Sequence, residues 1–149
     1  MIDFEKTLMP WIGKSRKLID YFFIDRISQH GIELTKVQWI LLMKLKERNG
    51  EPQHNLAFLT NRDKASLTRL LTTMESKNLV ARIPEESDHR INNIYITSHG
   101  EKILKQSMPI VNQMIDEMQE GLTEEEKELA VNVLKKIIDN IKLKDISCS

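Results

Sequence analysis

The chain is expected to be mainly α-helical with a small β-hairpin. Three observations carry that expectation. Apolar side chains recur at helical spacing through most of the 149 residues. The rhythm turns to strand-like runs in one place, over Leu79–Ile83 and Ile91–Thr97. Helix starts are marked by caps at Thr35, Asp63 and Thr123.

The first helix is read over residues 8–30, from Leu8, Trp11, Ile12, Leu18, Ile19, Phe22, Phe23 and Ile27. Pro10 fits its first turn. Its length and aromatic stripe imply packing beyond one small lobe. A second helix opens at Thr35. Thr35 and Gln38 form a capping box, with Leu34 and Trp39 placed as a hydrophobic staple. Val37, Ile40, Leu41 and Leu45 are its expected inward face. Asn49-Gly50 ends it, since both tolerate positive φ.

A short helix is expected at about 52–60, with Pro52 at its start and Leu56 and Leu59 inward. Thr60-Asn61-Arg62 makes a turn. Asp63 then caps a helix to about Lys77, with Leu67, Leu70, Leu71 and Met74 as its core stripe. Asn78 takes the left-handed stop position. Leu79–Ile83 and Ile91–Thr97 follow as two strands around the polar tip 84–90. A helix over 98–120 buries Ile103, Leu104, Met108, Val111, Ile115 and Met118, and Pro109 should bend it. Gly121 ends it. Thr123 and Glu126 box the last helix, which carries Leu129, Ala130, Val133, Leu134, Ile137, Ile138 and Ile141 on one side. The tail after Leu143 is expected to fray.

Two short helices, a tight turn and a hairpin make a winged helix-turn-helix, whose second helix normally lies in the DNA major groove. Residues 35–97 form that lobe, and 1–34 with 98–149 form a helical dimerisation region. Opposite the core stripe of the second helix lie Ala65, Arg69, Thr72 and Ser76, flanked by Ser66, Thr68 and Thr73, with Lys64 at the start. Small residues permit close approach, hydroxyls suit phosphates or base edges, and Arg is the commonest reader of guanine. An ordinary solvated face would carry more Glu and Lys. Arg90 at the hairpin tip suits a narrow, electronegative minor groove. The competing reading of that tip is an exposed turn with a local Asp88–Arg90 ion pair.

Other chemistry has little support. There is no Gly-rich phosphate loop, nucleophile elbow or His-Glu-x-x-His, so no enzyme is expected. His30, His54, His89 and His99 lack metal-ligand spacing, and the one cysteine, Cys148, cannot join them, so neither metal nor cofactor is expected. Nothing in the sequence lowers the Cys148 pKa for redox sensing. No apolar run approaches the ~20 residues of a membrane span, and no leader pattern opens the chain. A soluble, cytoplasmic protein is the expectation. Glu124-Glu125-Glu126 suits the first turn of a helix. Trp11, Phe22, Trp39 and His30 could line a ligand cleft, or simply be core.

The formal net charge is zero, with 22 basic and 22 acidic residues. Residues 36–82 hold nine basic and four acidic side chains, net +5, whereas 98–149 hold seven and ten, net −3. A neutral total discourages indiscriminate nucleic-acid binding, while a basic lobe can still face phosphates.

The run Asn55-Leu56-Ala57, then Asp63-Lys64-Ala65-Ser66-Leu67-Thr68-Arg69-Leu70-Leu71, then Met74-Glu75-Ser76-Lys77-Asn78-Leu79-Val80-Ala81-Arg82 resembles the helix-turn-helix of MarR-type regulators (multiple antibiotic resistance regulators). Asp88-His89-Arg90 is similar to that family's Asp-x-Arg wing motif. Ile96-Thr97-Ser98-His99-Gly100 is similar to its Leu-Thr-x-x-Gly signature. The resemblance spans the whole chain. It implies a homodimer with intertwined terminal helices, binding double-stranded DNA at a pseudo-palindromic operator and often repressing nearby genes. It also implies, as for many members, release from DNA when a small aromatic or phenolic ligand, or an oxidant, binds. Asp88 would support the wing and Arg90 would enter the minor groove. The chain departs from the pattern at Asn78, in place of the usual Gly, at His89, in place of a basic residue, and in having Glu85 and Glu86 beside the wing. That acidic wing keeps a second reading open, a winged-helix protein-interaction module without DNA binding.

Overall fold

The computed structural model describes residues 1–60 and 63–145, so the turn expected at Asn61-Arg62, and Cys148, lie outside the described residues. The chain divides into two compact units, Met1–Met114 and Ile115–Ser149. The first begins with a 3-10 turn, Phe4–Lys6, and continues through α1 (Leu8–Ser28) and α2 (Lys36–Glu47). Strand β1 (Glu51–Pro52), a 3-10 helix (Gln53–Thr60), α3 (Lys64–Ser76), β2 (Val80–Pro84) and β3 (Asn92–Ile96) follow. Helix α4 (Ser98–Met118) crosses the unit boundary, and α5 (Glu124–Asp145) completes the described chain.

The caps form as their residues dictate. The Gln38 N–H donates to Thr35 Oγ1 at 3.3 Å while the Thr35 N–H donates to Gln38 Oε1 at 3.1 Å. Closing this box draws Gln38 inward, and the buried face of α2 is Gln38, Leu41, Leu42 and Leu45. The expected face thus rotates: Leu42 replaces Val37 and Ile40, which are half-buried in a cleft against α1. At the end of α2 only Gly50 has positive φ, at 76°. Asn49 instead uses Oδ1 to accept the N–H groups of Gly50 at 3.2 Å and Ile96 at 2.9 Å.

The helix expected at 52–60 is a 3-10 helix. Gln53, Leu56 and Leu59 stand three residues apart, which puts them on one face of that tighter coil. Pro52 belongs to β1, not to the helix. It tolerates strand geometry because β1 is an edge strand in the antiparallel order β1-β3-β2, with Pro52 opposite Asn93. The hairpin runs in register from Val80 opposite Ile96 to Pro84 opposite Asn92. Ile94 and Ile96 turn into the core while Asn93 and Tyr95 stay half-exposed, the alternation the sequence implies.

Helix α3 stops at a left-handed Asn78, φ 56°. The Leu79 N–H donates to the Met74 carbonyl at 2.9 Å and the Asn78 N–H to the Glu75 carbonyl at 2.8 Å, a complete Schellman stop. The start of α4 is strapped to the same corner. The Thr97 N–H donates to the Leu79 carbonyl at 3.1 Å, and the Gly100 N–H donates to Thr97 Oγ1 at 3.0 Å.

The core of the first unit joins Phe23 and Ile27 of α1, Leu41 and Leu45 of α2, Leu56, Leu67, Leu71, Met74, Ile94 and Leu104. Of the α1 stripe, only Phe23 and Ile27 are buried; Leu8, Trp11, Ile12 and Leu18 are exposed. In α4, Leu104, Ser107, Val111 and Met114 are buried, whereas Ile115 and Met118 lie open. The helix runs on through Pro109, where proline supplies no N–H to the Lys105 carbonyl. In the second unit, Gly121 takes φ 79°. Thr123 and Glu126 exchange box bonds of 2.8 and 3.2 Å. No described residue of α5 is buried, and Leu129 is 66% and Ile138 49% exposed. No described helix is long and apolar enough to cross a membrane.

Candidate nucleic-acid interface

The site is built on α3 because its core face fixes its outer face. Leu67, Leu71 and Met74 are buried, so Lys64, Ala65, Thr68, Arg69, Thr72 and Thr73 are exposed, with Ser66 half-buried. Asp63 caps the helix by accepting the Ala65 N–H at 3.1 Å. Its other carboxylate oxygen accepts a short hydrogen bond from the Ser66 hydroxyl. That hydroxyl contact, with the neighbouring backbone N–H groups and the Arg69 charge, holds the Asp63 carboxyl below the usual carboxylate range.

The hydroxyls on this face are bonded within the helix. Thr68 donates to the Lys64 carbonyl at 2.9 Å, Thr72 to Thr68 at 2.8 Å and Thr73 to Arg69 at 3.0 Å. Each therefore uses its donor on its own helix and presents acceptor lone pairs and a methyl group outward. Phosphate oxygens need donors, and on this face Lys64 and Arg69 carry them. Arg69 rests along the helix start, its Nη2 donating to Ser66 Oγ at 2.9 Å. That bond uses one of its five N–H donors.

At the hairpin tip Arg90 is 91% exposed on its side chain. Its Nε and its backbone N–H both donate to Asp88 Oδ1 at 3.1 Å. These contacts, the guanidinium first, hold the Asp88 carboxyl below the usual range. The expected support of the wing by Asp88 is thus a local clamp on Arg90 itself.

The structure brings Lys64, Thr68 and Arg90 together around a cleft of about 660 Å³ between α3, the wing and the 3-10 helix. Gln53, His54 and Asn55 of the 3-10 helix share its lining. They were not among the expected site residues. The usable signal is positional: the first helix of a helix-turn-helix pair crosses the DNA backbone. Arg82 was also missed. It reaches from β2 to Glu75 and Thr72 of α3.

The four residues considered for a ligand cleft each have their own local partners. Trp39 packs edge-on to Phe23, ring centres 6.2 Å apart, and donates Nε1–H to the buried Ser107 Oγ at 3.0 Å. Trp11 donates its indole N–H to the Glu5 carbonyl at 2.9 Å, and Phe22 lies beneath the Arg26 guanidinium. His30 lines a separate recess with Ile32 and Pro109. Among the described residues no cluster of three or more His, Cys, Asp or Glu could hold a metal ion.

Comparison with known proteins agrees with this architecture. A family model described as MarR family matches residues 34–91. The transcriptional regulator HosA of Escherichia coli O157:H7 is 32% identical over 112 residues, covering 74% of this chain and 83% of that protein. A mutant MarR from E. coli, solved in complex with operator DNA, superposes with a TM-score of 0.79 at 25% identity, covering 87% of this chain and 92% of that one. BpsR of Bordetella bronchiseptica, whose DNA binding is regulated by 6-hydroxynicotinic acid, superposes with a TM-score of 0.82. It covers 93% of this chain and 98% of that one, and at 19% identity the likeness is one of fold.

Proposed function

The chain belongs to the MarR family of DNA-binding transcriptional regulators, and on that premise we propose that it acts as a homodimeric repressor of a pseudo-palindromic operator. The observation that carries this reading is the convergence of Lys64 and Arg90 on one cleft beside the outer face of α3. In it, α3 enters the major groove, with Arg69 reading a base edge, Lys64 meeting phosphates, and Arg90 entering the minor groove. Ala65, Ser66, Thr68, Thr72 and Thr73 form the close-packed surface between them. Asp88 keeps Arg90 ordered before binding.

The dimer rests on the uncovered apolar faces of α1 and α5, on which Leu18, Leu134 and Ile141 are exposed. A second copy covering them would set two α3 helices about one DNA turn apart, ~34–36 Å. The protein works in the cytoplasm and has no enzymatic activity. A small aromatic or phenolic ligand releases it from DNA, by analogy with the regulation of BpsR by 6-hydroxynicotinic acid.

The test is a gel shift on the DNA upstream of the protein's own gene at two salt concentrations, with sedimentation to give the mass. A specific shift that weakens steeply with salt, from a dimer, supports the proposal. No shift at low salt, or binding by a monomer, counts against it.

A further inference from the structure

Glu75 is the one acid in α3, Lys64–Ser76. It sits near the helix C-terminus, where a carboxylate is disfavoured by the dipole, on the element meant to face phosphates. Left unpaired it would repel DNA. Arg82 of β2 answers it with a short ion pair between half-buried side chains. The same guanidinium donates from Nη2 to Thr72 Oγ1 at 3.1 Å, and the Thr72 hydroxyl in turn donates to the Thr68 carbonyl at 2.8 Å. Arg82 therefore ties the first wing strand to two successive turns of α3.

We propose that Arg82 serves DNA recognition without touching DNA: it cancels the Glu75 charge on the helix that meets the duplex. The inference rests on the reading of α3 as the DNA-contacting helix. It requires no contact between Arg82 and DNA, and that separates it from an ordinary phosphate contact.

The experiment compares wild type, Arg82→Gln, Glu75→Gln and the double variant. Each binds a fluorescent duplex that the wild type has selected from random sequence, at several salt concentrations, and melting temperatures are recorded in parallel. Arg82→Gln is expected to weaken binding about tenfold, with melting close to wild type, because it leaves Glu75 facing phosphates. Glu75→Gln is expected to lie within about twofold of wild type, and the double variant to recover most of the loss. Equal weakness of Arg82→Gln and the double variant, with the salt slope reduced by about 0.9, would show a direct phosphate contact and overturn the proposal. If Arg82→Gln does not fold, the double variant decides, since it leaves no unpaired charge: affinity near wild type supports the proposal and a tenfold loss overturns it. A wild type that selects no duplex removes the DNA reading itself, and the proposal with it.

Discussion

Gly100→Ala pits two known effects against each other at the junction of wing and α4. Alanine is the better helix former, worth at most about 1 kcal/mol over glycine. At this position, however, a Cβ would lie 2.2 Å from the Leu79 carbonyl oxygen and 3.0 Å from Ile96 Cγ1. Ordinary carbon–oxygen contacts are about 3.3 Å or longer, so α4 or the Leu79 backbone must move by roughly 1 Å. Neither is a flexible side-chain end. Overpacking of this kind costs about 1–3 kcal/mol. The movement also strains the bond from the Thr97 N–H to the Leu79 carbonyl, now 3.1 Å, a bond worth about 0.5–1.5 kcal/mol. The clash wins, with a net loss of about 1–3 kcal/mol, or roughly 3–10 °C in Tm at this chain length. Gly13→Ala in α1 is the control, because a Cβ there meets nothing within 4 Å. It should stabilise by about 0.5–1 kcal/mol. Thermal melts at one fixed protein concentration measure both. Gly100→Ala melting at or above wild type, with Gly13→Ala behaving as expected, would refute the steric argument.

Ile138→Asp should shift the sedimenting species from dimer to monomer without unfolding the single chain, since Ile138 is already 49% exposed there. An unchanged dimer would remove α5 from the interface. The Asp63 carboxyl sits below its usual value of 3.8 in the folded chain. Its cap therefore stabilises the fold above that value and is lost as pH falls through the depressed one. The melting-temperature gap between wild type and Asp63→Ala should accordingly be full near neutral pH and close in strong acid. A gap independent of pH would contradict the assignment. Asp88→Ala removes a negative charge from the wing, yet should weaken operator binding about three- to tenfold, because Arg90 must then be ordered on binding. Tighter binding in a fluorescence titration would show that Asp88 merely opposes the phosphates.

Where a local rule decided the structure, the sequence was a sufficient guide. The caps at Thr35, Asp63 and Thr123 depend on neighbours within three residues, and all three form as read. Asn78 takes the left-handed position because the chain must leave α3 there. Distant partners decide the rest. Pro52 joins a strand only because β3 lies beside it, a pairing 41 residues away with Asn93. The buried face of α2 turns toward Leu42 because Gln38 closes a cap and α4 offers Ser107 to Trp39. In the interface, residue types on α3 gave the right exposed face, since helical periodicity fixes it. Back-bonding to the helix competes with outward donation, and it sets the hydroxyl directions on that face. Arg82 and the 3-10 helix residues were missed because only the folded hairpin and cleft bring them to α3.

In the proposed complex α3 reads bases through Arg69 while the wing anchors through Arg90. The most direct measurement is the affinity of wild type, Arg69→Ala and Arg90→Ala for a selected operator and for its single-base-pair variants, at matched salt. Arg69→Ala should lose about 1–3 kcal/mol on the operator and cease to discriminate at one base pair in each half-site. Arg90→Ala should weaken binding to all the duplexes by a similar factor. Operator affinity and base preference unchanged in both variants would contradict the account.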